Sequence, residues 1–423
     1  MSDGSIDIRH EARARAYAEP LETLNPAQPE LFSNDAMWPY FDRLRAEAPV
    51  HYTPDSDFGP YWSVTRYNDI MAVDTNHQVF SSADGIVLPS LEAAAETAKR
   101  PIRPSFISMD PPRHDEQRRA VSPVVAPSNL QQMGPIIRER AGLILDALPI
   151  GETFDWVDLV SKELTAMTLA TLFDFPFEDR RKLTHWSDMM TNAPGFGPVN
   201  SWEHKREEID ACFSAFDGLW RERAGAPPKF DLISMLAHAE ATRTMDVHEY
   251  HGNVTLLIIG GNDTTRNTIS GSVYALNKNP AQYDKLRADP SLIPSMVSET
   301  IRWQTPLAHM RRTATRDFEF GGKTIRKGDK VVMWYVSGNR DERVIEDPNS
   351  YIIDRARPRQ HISFGFGVHR CVGNRLAELQ LTIIWEEILK RFPVIELVDE
   401  PQRTHSIFVK GYETLPVVIP RRL

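Results

Sequence analysis

The segment that constrains this chain most is the ten-residue run Phe364–Gly373, which contains three glycines and a cysteine, Cys371. Glycine permits backbone conformations that are closed to other residues and lets the chain approach a flat ligand closely. A helical pattern over 375–392 follows at once, so Cys371 stands where free backbone N–H groups and the helix dipole favour an anion. The run therefore predicts a glycine-rich loop that stabilises a cysteine thiolate.

Cysteine content and charge narrow the chemistry further. The two cysteines, Cys212 and Cys371, are far apart in sequence, which excludes a disulfide scaffold and an iron–sulfur site built from cysteines. A net charge of −9 argues against a general nucleic-acid binder. No apolar run approaches the roughly 18 to 20 residues that span a bilayer, and the polar start has no signal-peptide pattern. We therefore expect a cytoplasmic protein with no membrane span.

Apolar residues recur at helical spacing through much of the chain, most clearly over 130–148, 157–172, 248–276 and 375–392. Shorter β-like runs lie at 61–65, 318–325, 330–335 and 414–419. No repeat, linker or shift in composition divides the chain. We expect one large domain over 29–423, mainly α with small β-sheets, preceded by an extended N-terminal arm over 1–28.

The spacing within Phe364–Gly373 resembles the cysteine loop of the cytochrome P-450 superfamily of haem-thiolate monooxygenases, Phe-Gly-x-Gly-x-His-x-Cys-x-Gly, at every fixed position. The resemblance implies the cytochrome P-450 fold and a haem b cofactor (iron protoporphyrin IX) whose iron takes Cys371 as its axial thiolate. It places Phe364 beside the haem. It also implies that backbone N–H groups of the loop around Gly365 hydrogen-bond the sulfur and tune its potential. A thiolate ligand pushes electron density onto iron and so favours O–O cleavage.

A Glu-x-x-Arg pattern joins Glu299 and Arg302, whose spacing puts both side chains on one helix face. Taken alone, the pattern is typical of a solvated surface pair. Its position before Cys371, with Arg355 between them, is similar to that in the same superfamily. The resemblance implies that Glu299, Arg302 and Arg355 form a structural group that holds the haem pocket.

Glycines, an acid and hydroxyl residues interrupt the apolar helix predicted over 248–276, in the segment Gly260–Thr265. Glycine weakens a helix and threonine can bend one, so a kinked core helix is one interpretation. The resemblance implies another, in which the helix passes over the haem and its break forms an oxygen-binding notch. Thr264 would then hydrogen-bond dioxygen, the co-substrate, and Asp263 would relay protons from solvent.

The two haem propionates need cationic partners, because charge-assisted hydrogen bonds suit a partly dry pocket. His114 and Arg118 are four residues apart and match the propionate-binding helix of the superfamily. Arg312 and His369 match its other two contacts.

Electrons must come from outside the chain, which lacks the strand and Gly-x-Gly-x-x-Gly pattern typical of flavin or nicotinamide sites. The resemblance to soluble bacterial members implies a monomer that receives electrons from NAD(P)H through a ferredoxin and an NAD(P)H-dependent ferredoxin reductase. A docking patch for the ferredoxin is expected near the haem, at Arg118, Arg119, Arg359 and Arg370.

The resemblance is strongest to the bacterial alkane-hydroxylating branch, over 260–267, 309–314 and 357–361. It implies insertion of one oxygen atom of O₂ into a C–H bond, at the terminal (ω) carbon of medium-chain alkanes or fatty acids. A terpene or another compact apolar molecule is the alternative substrate. The expected pocket is apolar, with no anchor for a charged group, and consists of Ile86, Val87, Leu88, Leu257, Ile258, Gly261, Leu307, Met310 and Phe408.

Two other functional classes stay open from the residues alone. One is a hydrolytic metal site built from His361, His369 and Cys371, although zinc usually takes ligands at tighter paired spacing. The other is a non-catalytic haem carrier or sensor. The pair Asp263 and Thr264 argues against the second, because a carrier needs no proton relay.

Overall fold

Most of the backbone is helical in the computed structural model, which describes residues 4–423 and the side chains from residue 8 onward. The α-helices are α1 (Gly4–Ala18), α2 (Pro29–Ser33), α3 (Trp38–Glu47), α4 (Tyr67–Thr75), α5 (Leu91–Ala98), α6 (Arg113–Val121), α7 (Pro127–Asp146), α8 (Glu163–Phe173), α9 (Arg181–Thr191), α10 (Trp202–Ala224), α11 (Leu232–His238), α12 (Val247–Lys278), α13 (Pro280–Ala288), α14 (Ile293–Gln304), α15 (Tyr335–Gly338) and α16 (Asn374–Arg391). A π-helical stretch, Val157–Lys162, leads into α8.

The strands are short and form small sheets at the edges of the helical body. They are β1 (Val50–Thr53), β2 (Tyr61–Val64), β3 (Phe80–Ser81), β4 (Thr153–Asp155), β5 (Met310–Ala314), β6 (Phe318–Phe320), β7 (Lys323–Ile325), β8 (Lys330–Met333), β9 (Glu396–Leu397), β10 (Gln402–Arg403), β11 (Tyr412–Thr414) and β12 (Pro416–Val418). The largest sheet has the order β1-β2-β8-β5-β3. In it β2 and β8 are parallel and the other neighbours are antiparallel.

Helix α12 is the central element of the main core and packs against α8, α9 and α14. Asp246 caps its first turn by accepting the N–H groups of His248 and Glu249. Further along, a Cβ at Gly261 would lie 2.7 Å from the Cδ2 atom of Leu169. Glycine at this position therefore lets α8 approach α12 closely.

The predicted fold class, mainly α with small β-sheets in one large domain, is confirmed. The four predicted helices correspond to α7, to the π-helical stretch with α8, to α12 and to α16. The four β-like runs correspond to β2, to the β6–β7 hairpin, to β8 and to the β11–β12 region. Within residues 4–423, no helix is long and apolar enough to cross a membrane.

The N-terminal region differs from the extended arm that the sequence predicts over 1–28. Residues 4–18 form helix α1, which packs against α3. Alanine-rich sequence has a high helix propensity, and Ala12 and Ala16 lie one turn apart with exposures of only 4% and 0%. Arg43 of α3 fixes the end of the helix by donating to the carbonyl oxygens of Ala16 and Glu19, at 2.7 and 2.6 Å. The prolines that follow α1 indicated an extended segment, whereas the buried alanines within α1 indicate a helix.

Candidate active site

The glycine-rich loop adopts backbone conformations that require glycine. Gly365 and Gly367 have φ values of +65° and +67°, the left-handed region that side chains disfavour. A Cβ at Gly367 would also lie 2.7 Å from the carbonyl oxygen of Asp74 at the end of α4. The loop is therefore held close to α4 because neither glycine carries a side chain.

Cys371 lies just before α16, as the sequence predicts, and its side chain is exposed towards a large internal cavity. Its backbone N–H donates to the carbonyl oxygen of Phe364 at 2.8 Å, which closes the loop. Desolvation raises the pKa of the Cys371 thiol, and the backbone N–H groups of Gly373 and Asn374 oppose that rise. These N–H groups at the helix start favour the thiolate form.

Asp74 organises the pocket on the side of α4, and no sequence pattern singled it out. Its carboxylate accepts hydrogen bonds from the backbone N–H of Phe366 at 2.7 Å and from the Tyr335 hydroxyl at 2.9 Å. The Arg312 guanidinium donates to the same carboxylate at 2.7 Å, and both side chains are buried. Asp74 therefore joins the cysteine loop to β5, and Arg312 has a protein partner already.

Imidazole and guanidinium groups meet on one wall of the cavity, as the sequence predicts for His114, Arg118, Arg312 and His369. The rings of His114 and His369 are 4.4 Å apart. Neither ring nitrogen of His369 has a hydrogen-bond partner within the described side chains, and the Nε2 atom of His114 also lacks one. Desolvation, and then the nearby cations, lower the pKa of His369 to about 2. A group that brought carboxylates to this wall would satisfy these unpartnered nitrogens.

Helix α12 passes over the cavity without the break that the sequence predicts. It is continuous from Val247 to Lys278, and the Thr264 hydroxyl donates back to the Gly260 carbonyl oxygen at 3.0 Å. Tertiary packing on both sides of the helix outweighs the weak helix propensity of the two glycines. A Cβ at Gly260 would meet no atom within 4 Å. The open space beside Thr264 therefore comes from a missing side chain rather than from a helix break.

Asp263 is fully buried and, unlike Thr264, does not line the cavity. Its Oδ1 atom accepts from the Ser187 hydroxyl at 2.9 Å and from the Asn262 amide at 3.0 Å, and it lies 3.2 Å from an Arg266 nitrogen. Its Oδ2 atom has no partner among the described residues. Burial raises the pKa of the Asp263 carboxyl, although Arg266 opposes the rise.

Arg266 is shared between two acids. It lies 2.5 Å from an oxygen of Asp188, which also lies 3.2 Å from the Lys162 ammonium. Although burial opposes it, these two cations hold the pKa of Asp188 below its usual range. Arg266 therefore lies closer to Asp188 than to Asp263 and stabilises the charged form of Asp188 more strongly. Asp263 is the acid of the two whose pKa is raised, so it holds a proton more readily.

Glu299, Arg302 and Arg355 form the structural group that the family resemblance implies, and the group is buried. Arg302 donates to both oxygens of Glu299 at 2.7 Å, and Arg355 donates to one of them at 2.9 Å. The backbone N–H of Ile352 is a fourth donor, at 2.8 Å. Arg302 also donates to the carbonyl oxygens of Asn339, Pro348 and Ser350. The group ties α14 to the segment before the cysteine loop and does not line the cavity.

The cavity has a volume of about 1270 Å³, more than the roughly 300 to 1,000 Å³ of an ordinary single-ligand pocket. It brings together most of the predicted pocket, namely Ile86, Val87, Leu88, Leu257, Gly261, Leu307, Met310 and Phe408, together with Phe364, Gly365, Thr264 and Cys371. Ile258 was wrongly predicted, because it is buried in the main core and does not line the cavity.

The expectation that the pocket has no anchor for a charged group is also wrong. Arg103 and Lys205 line it, together with aromatic residues that the sequence did not single out, such as Phe196 and Phe213. Lys205 donates to the carbonyl oxygens of Met190 and Asn192, at 3.1 and 2.7 Å, and desolvation lowers the pKa of its ammonium to about 8. These residues come from separate elements, so no local pattern placed them in one wall.

The residues around the cavity fit a haem. Cys371 offers a thiolate ligand beneath α12, and the wall with unpartnered nitrogens at His114 and His369 suits two propionates. The alternative metal site at His361, His369 and Cys371 is not supported, since no group of three or more His, Cys, Asp or Glu side chains in the described chain is arranged to hold a metal ion.

Comparison with known proteins agrees with this geometry. The cytochrome P450 family profile matches residues 199–414. Linalool 8-monooxygenase of Pseudomonas putida is 36% identical over 92% of this chain and 97% of its own length. Methyl-branched lipid omega-hydroxylase of Mycobacterium tuberculosis is 31% identical, with 89% and 90% covered. The solved structure of CYP153D17 from Sphingomonas sp. PAMC 26605 is 48% identical, with a TM-score of 0.87 over 93% of this chain and 98% of that one. The chain therefore belongs to the cytochrome P450 family of haem-dependent monooxygenases.

Proposed function

We propose that this P450 hydroxylates the terminal carbon of medium-chain alkanes or fatty acids. The observation that carries the proposal is the cavity itself, which is lined by the loop at 86–88, Leu257 and Phe408 together with Cys371. The name of the mycobacterial relative, a lipid omega-hydroxylase, supports oxidation at a chain end. A terminal methyl is the hardest carbon to oxidise, so a cavity that presents only the chain end would have to impose that selectivity.

The overall reaction consumes O₂, two electrons and two protons, and gives an alcohol and water. Haem bound at this site would activate dioxygen, and the Cys371 thiolate would hold its iron and supply electron density. The unpartnered nitrogens of His114 and His369, together with the Arg118 guanidinium, would hold the propionates. Phe364 would pack beside the ring. Arg312 would act from its ion pair with Asp74, which keeps it in the cavity wall.

Thr264 and Asp263 are the proposed catalytic residues. Thr264 lines the same cavity as Cys371, and its hydroxyl would turn from the Gly260 carbonyl oxygen to hydrogen-bond dioxygen. Asp263 would supply protons, because burial raises the pKa of its carboxyl and its Oδ2 atom is free to carry a proton. Since Asp263 does not line the cavity, its side chain must turn away from Ser187 and Arg266 to deliver one.

The electron supply belongs to the same proposal. We propose NAD(P)H as the source, with a ferredoxin reductase and a ferredoxin as carriers. Arg119, Arg359 and Arg370 are exposed and Arg118 is half-buried. Arg118 donates to the carbonyl oxygen of Arg370 at 2.5 Å, which holds two members of the docking patch together. A monomeric state and a cytoplasmic location stay predictions.

A terpene is the second candidate substrate, because a relative named linalool 8-monooxygenase aligns along nearly the whole chain. Binding titrations of the haem-loaded protein with linear alkanes, fatty acids, and both acyclic and cyclic terpenes, followed by product analysis, separate the two. We expect about fourfold tighter binding for each added methylene, from about 0.8 kcal/mol of burial, until the cavity is full, and a terminal alcohol or ω-hydroxy acid as product. Tight binding of terpenes, with no terminal product from any linear chain, would contradict the proposal.

A further inference from the structure

Arg103 is a cation in the wall of an otherwise largely apolar cavity. It follows α5 in the chain, and its guanidinium carbon lies 4.7 Å from the centre of the Phe213 ring. The Phe213 ring stacks in parallel on His251 with centroids 4.1 Å apart, so the surface beneath the guanidinium is fixed. Arg103 is thus held at the cavity by an aromatic platform rather than by an acid.

The Arg103 guanidinium has no acidic partner. Within residues 8–423 its side chain makes no ion pair or hydrogen bond, and its Nε atom is buried without an acceptor. Asp210 is the acid that faces it, but Arg100 already binds both oxygens of Asp210 at 2.8 and 2.6 Å. Desolvation lowers the pKa of Arg103, and the charge of Arg100 lowers it further. An anion bound at the guanidinium would supply the acceptor that the buried Nε atom lacks.

The contact between the Arg103 backbone and α12 gives the separation of Arg103 from Thr264 along the helix axis. A Cβ at Gly252 would lie 2.6 Å from the Arg103 carbonyl oxygen, so the two residues are in contact. Gly252 precedes Thr264 by twelve residues in the same helix, which corresponds to about 18 Å at the helical rise of about 1.5 Å per residue. An extended alkyl chain that advances about 1.25 Å per carbon, from C–C bonds of about 1.5 Å, covers this distance with about fourteen carbons.

We propose that Arg103 binds the carboxylate of a fatty-acid substrate and so directs the opposite, terminal carbon towards Thr264 and Cys371. The proposal rests on the proposed ω-hydroxylation and narrows it to acids over plain alkanes. The planar guanidinium fork matches a carboxylate with two parallel hydrogen bonds. Lys205 suits this task less well, because its ammonium already donates to the carbonyl oxygens of Met190 and Asn192.

Equilibrium binding to the haem-loaded protein tests the assignment with tetradecanoic acid and its methyl ester, which differ mainly in charge. Arg103→Met and Arg103→Gln should each weaken binding of the acid tenfold or more, equivalent to about 1.4 kcal/mol, and change binding of the ester by less than about twofold. Arg103→Lys should retain part of the preference for the acid. Arg243→Gln is the control, because Arg243 is exposed and lies outside the cavity. This variant should bind the acid and the ester as tightly as the wild type does.

A selective loss of acid binding in either neutral variant supports the assignment. Equal losses for acid and ester in both variants, or unchanged acid binding, would overturn it. Product analysis separates this result from the proposed function. A selective loss of acid binding without any terminal hydroxylation would support Arg103 as the carboxylate site and refute ω-hydroxylation. Formation of an ω-hydroxy acid with no effect of the Arg103 substitutions would support ω-hydroxylation and refute the role of Arg103.

Discussion

Replacing Glu299 by glutamine should destabilise the protein strongly, because it removes the only negative charge from a buried group with two arginines. Arg302 and Arg355 are 1% and 10% exposed in their side chains, and Glu299 is 0% exposed. Four donors point at the Glu299 carboxylate, two of them from Arg302. An amide keeps one acceptor oxygen and turns N–H groups towards donors. Breaking a buried ion pair costs about 3–5 kcal/mol, a large part of the roughly 5–15 kcal/mol by which domains are stable.

The free energy of unfolding from urea titrations of the wild type and Glu299→Gln measures this effect. Glu47→Gln is a matched control, since Glu47 pairs with Arg43 across one helical turn and is 47% exposed; it should cost about 0.3–0.5 kcal/mol. Equal stability losses in the two variants would refute the argument that the group near the cysteine loop is a buried ion-pair network.

Three further predictions concern pH, coupling and electron transfer. Burial lowers the pKa of His309 from 6.5 to about 4. Between these pH values the unfolded chain binds one more proton than the folded chain, so the free energy of unfolding falls as pH falls. His309→Asn should reduce this fall, measured by urea unfolding, by up to roughly 3 kcal/mol, and an unchanged pH profile would contradict the prediction. Thr264→Ala should still consume NAD(P)H but release more hydrogen peroxide per turnover, while Asp263→Asn should slow turnover; unchanged coupling and rate would remove both residues from the mechanism. The rate of reduction by ferredoxin should fall as the salt concentration rises, and it should be lower in the Arg119→Gln and Arg359→Gln variants than in the wild type. A reduction rate that does not depend on salt would argue against the docking patch.

Local patterns in the sequence were enough to predict the helical fold and the residues whose spacing is fixed. The glycines at 365 and 367 need positive φ, and this requirement appears directly as residue type and spacing. The buried group at Glu299 and Arg302 was implied by the family resemblance, since their spacing alone is typical of a surface pair. The predicted helices matched for the same reason, since their apolar faces repeat with the helical period.

Features that depend on several distant elements could not be predicted. Asp74 binds Arg312 and Phe366, which are more than two hundred residues away, and no motif surrounds it. Arg103 contacts Phe213 of α10 and Gly252 of α12, and these two residues are far from it in the chain. The unbroken helix at Gly260 and the inward turn of Ile258 likewise follow from packing rather than from local preference.

The most direct test of the account is the carbon monoxide difference spectrum of the reduced, haem-loaded protein, compared with that of Cys371→His. The account predicts a strongly red-shifted Soret band in the wild type, which indicates a thiolate ligand, and its loss in the variant even where haem remains bound. A wild-type band typical of imidazole ligation, or a red-shifted band that persists in Cys371→His, would contradict the assignment of Cys371 as the axial ligand.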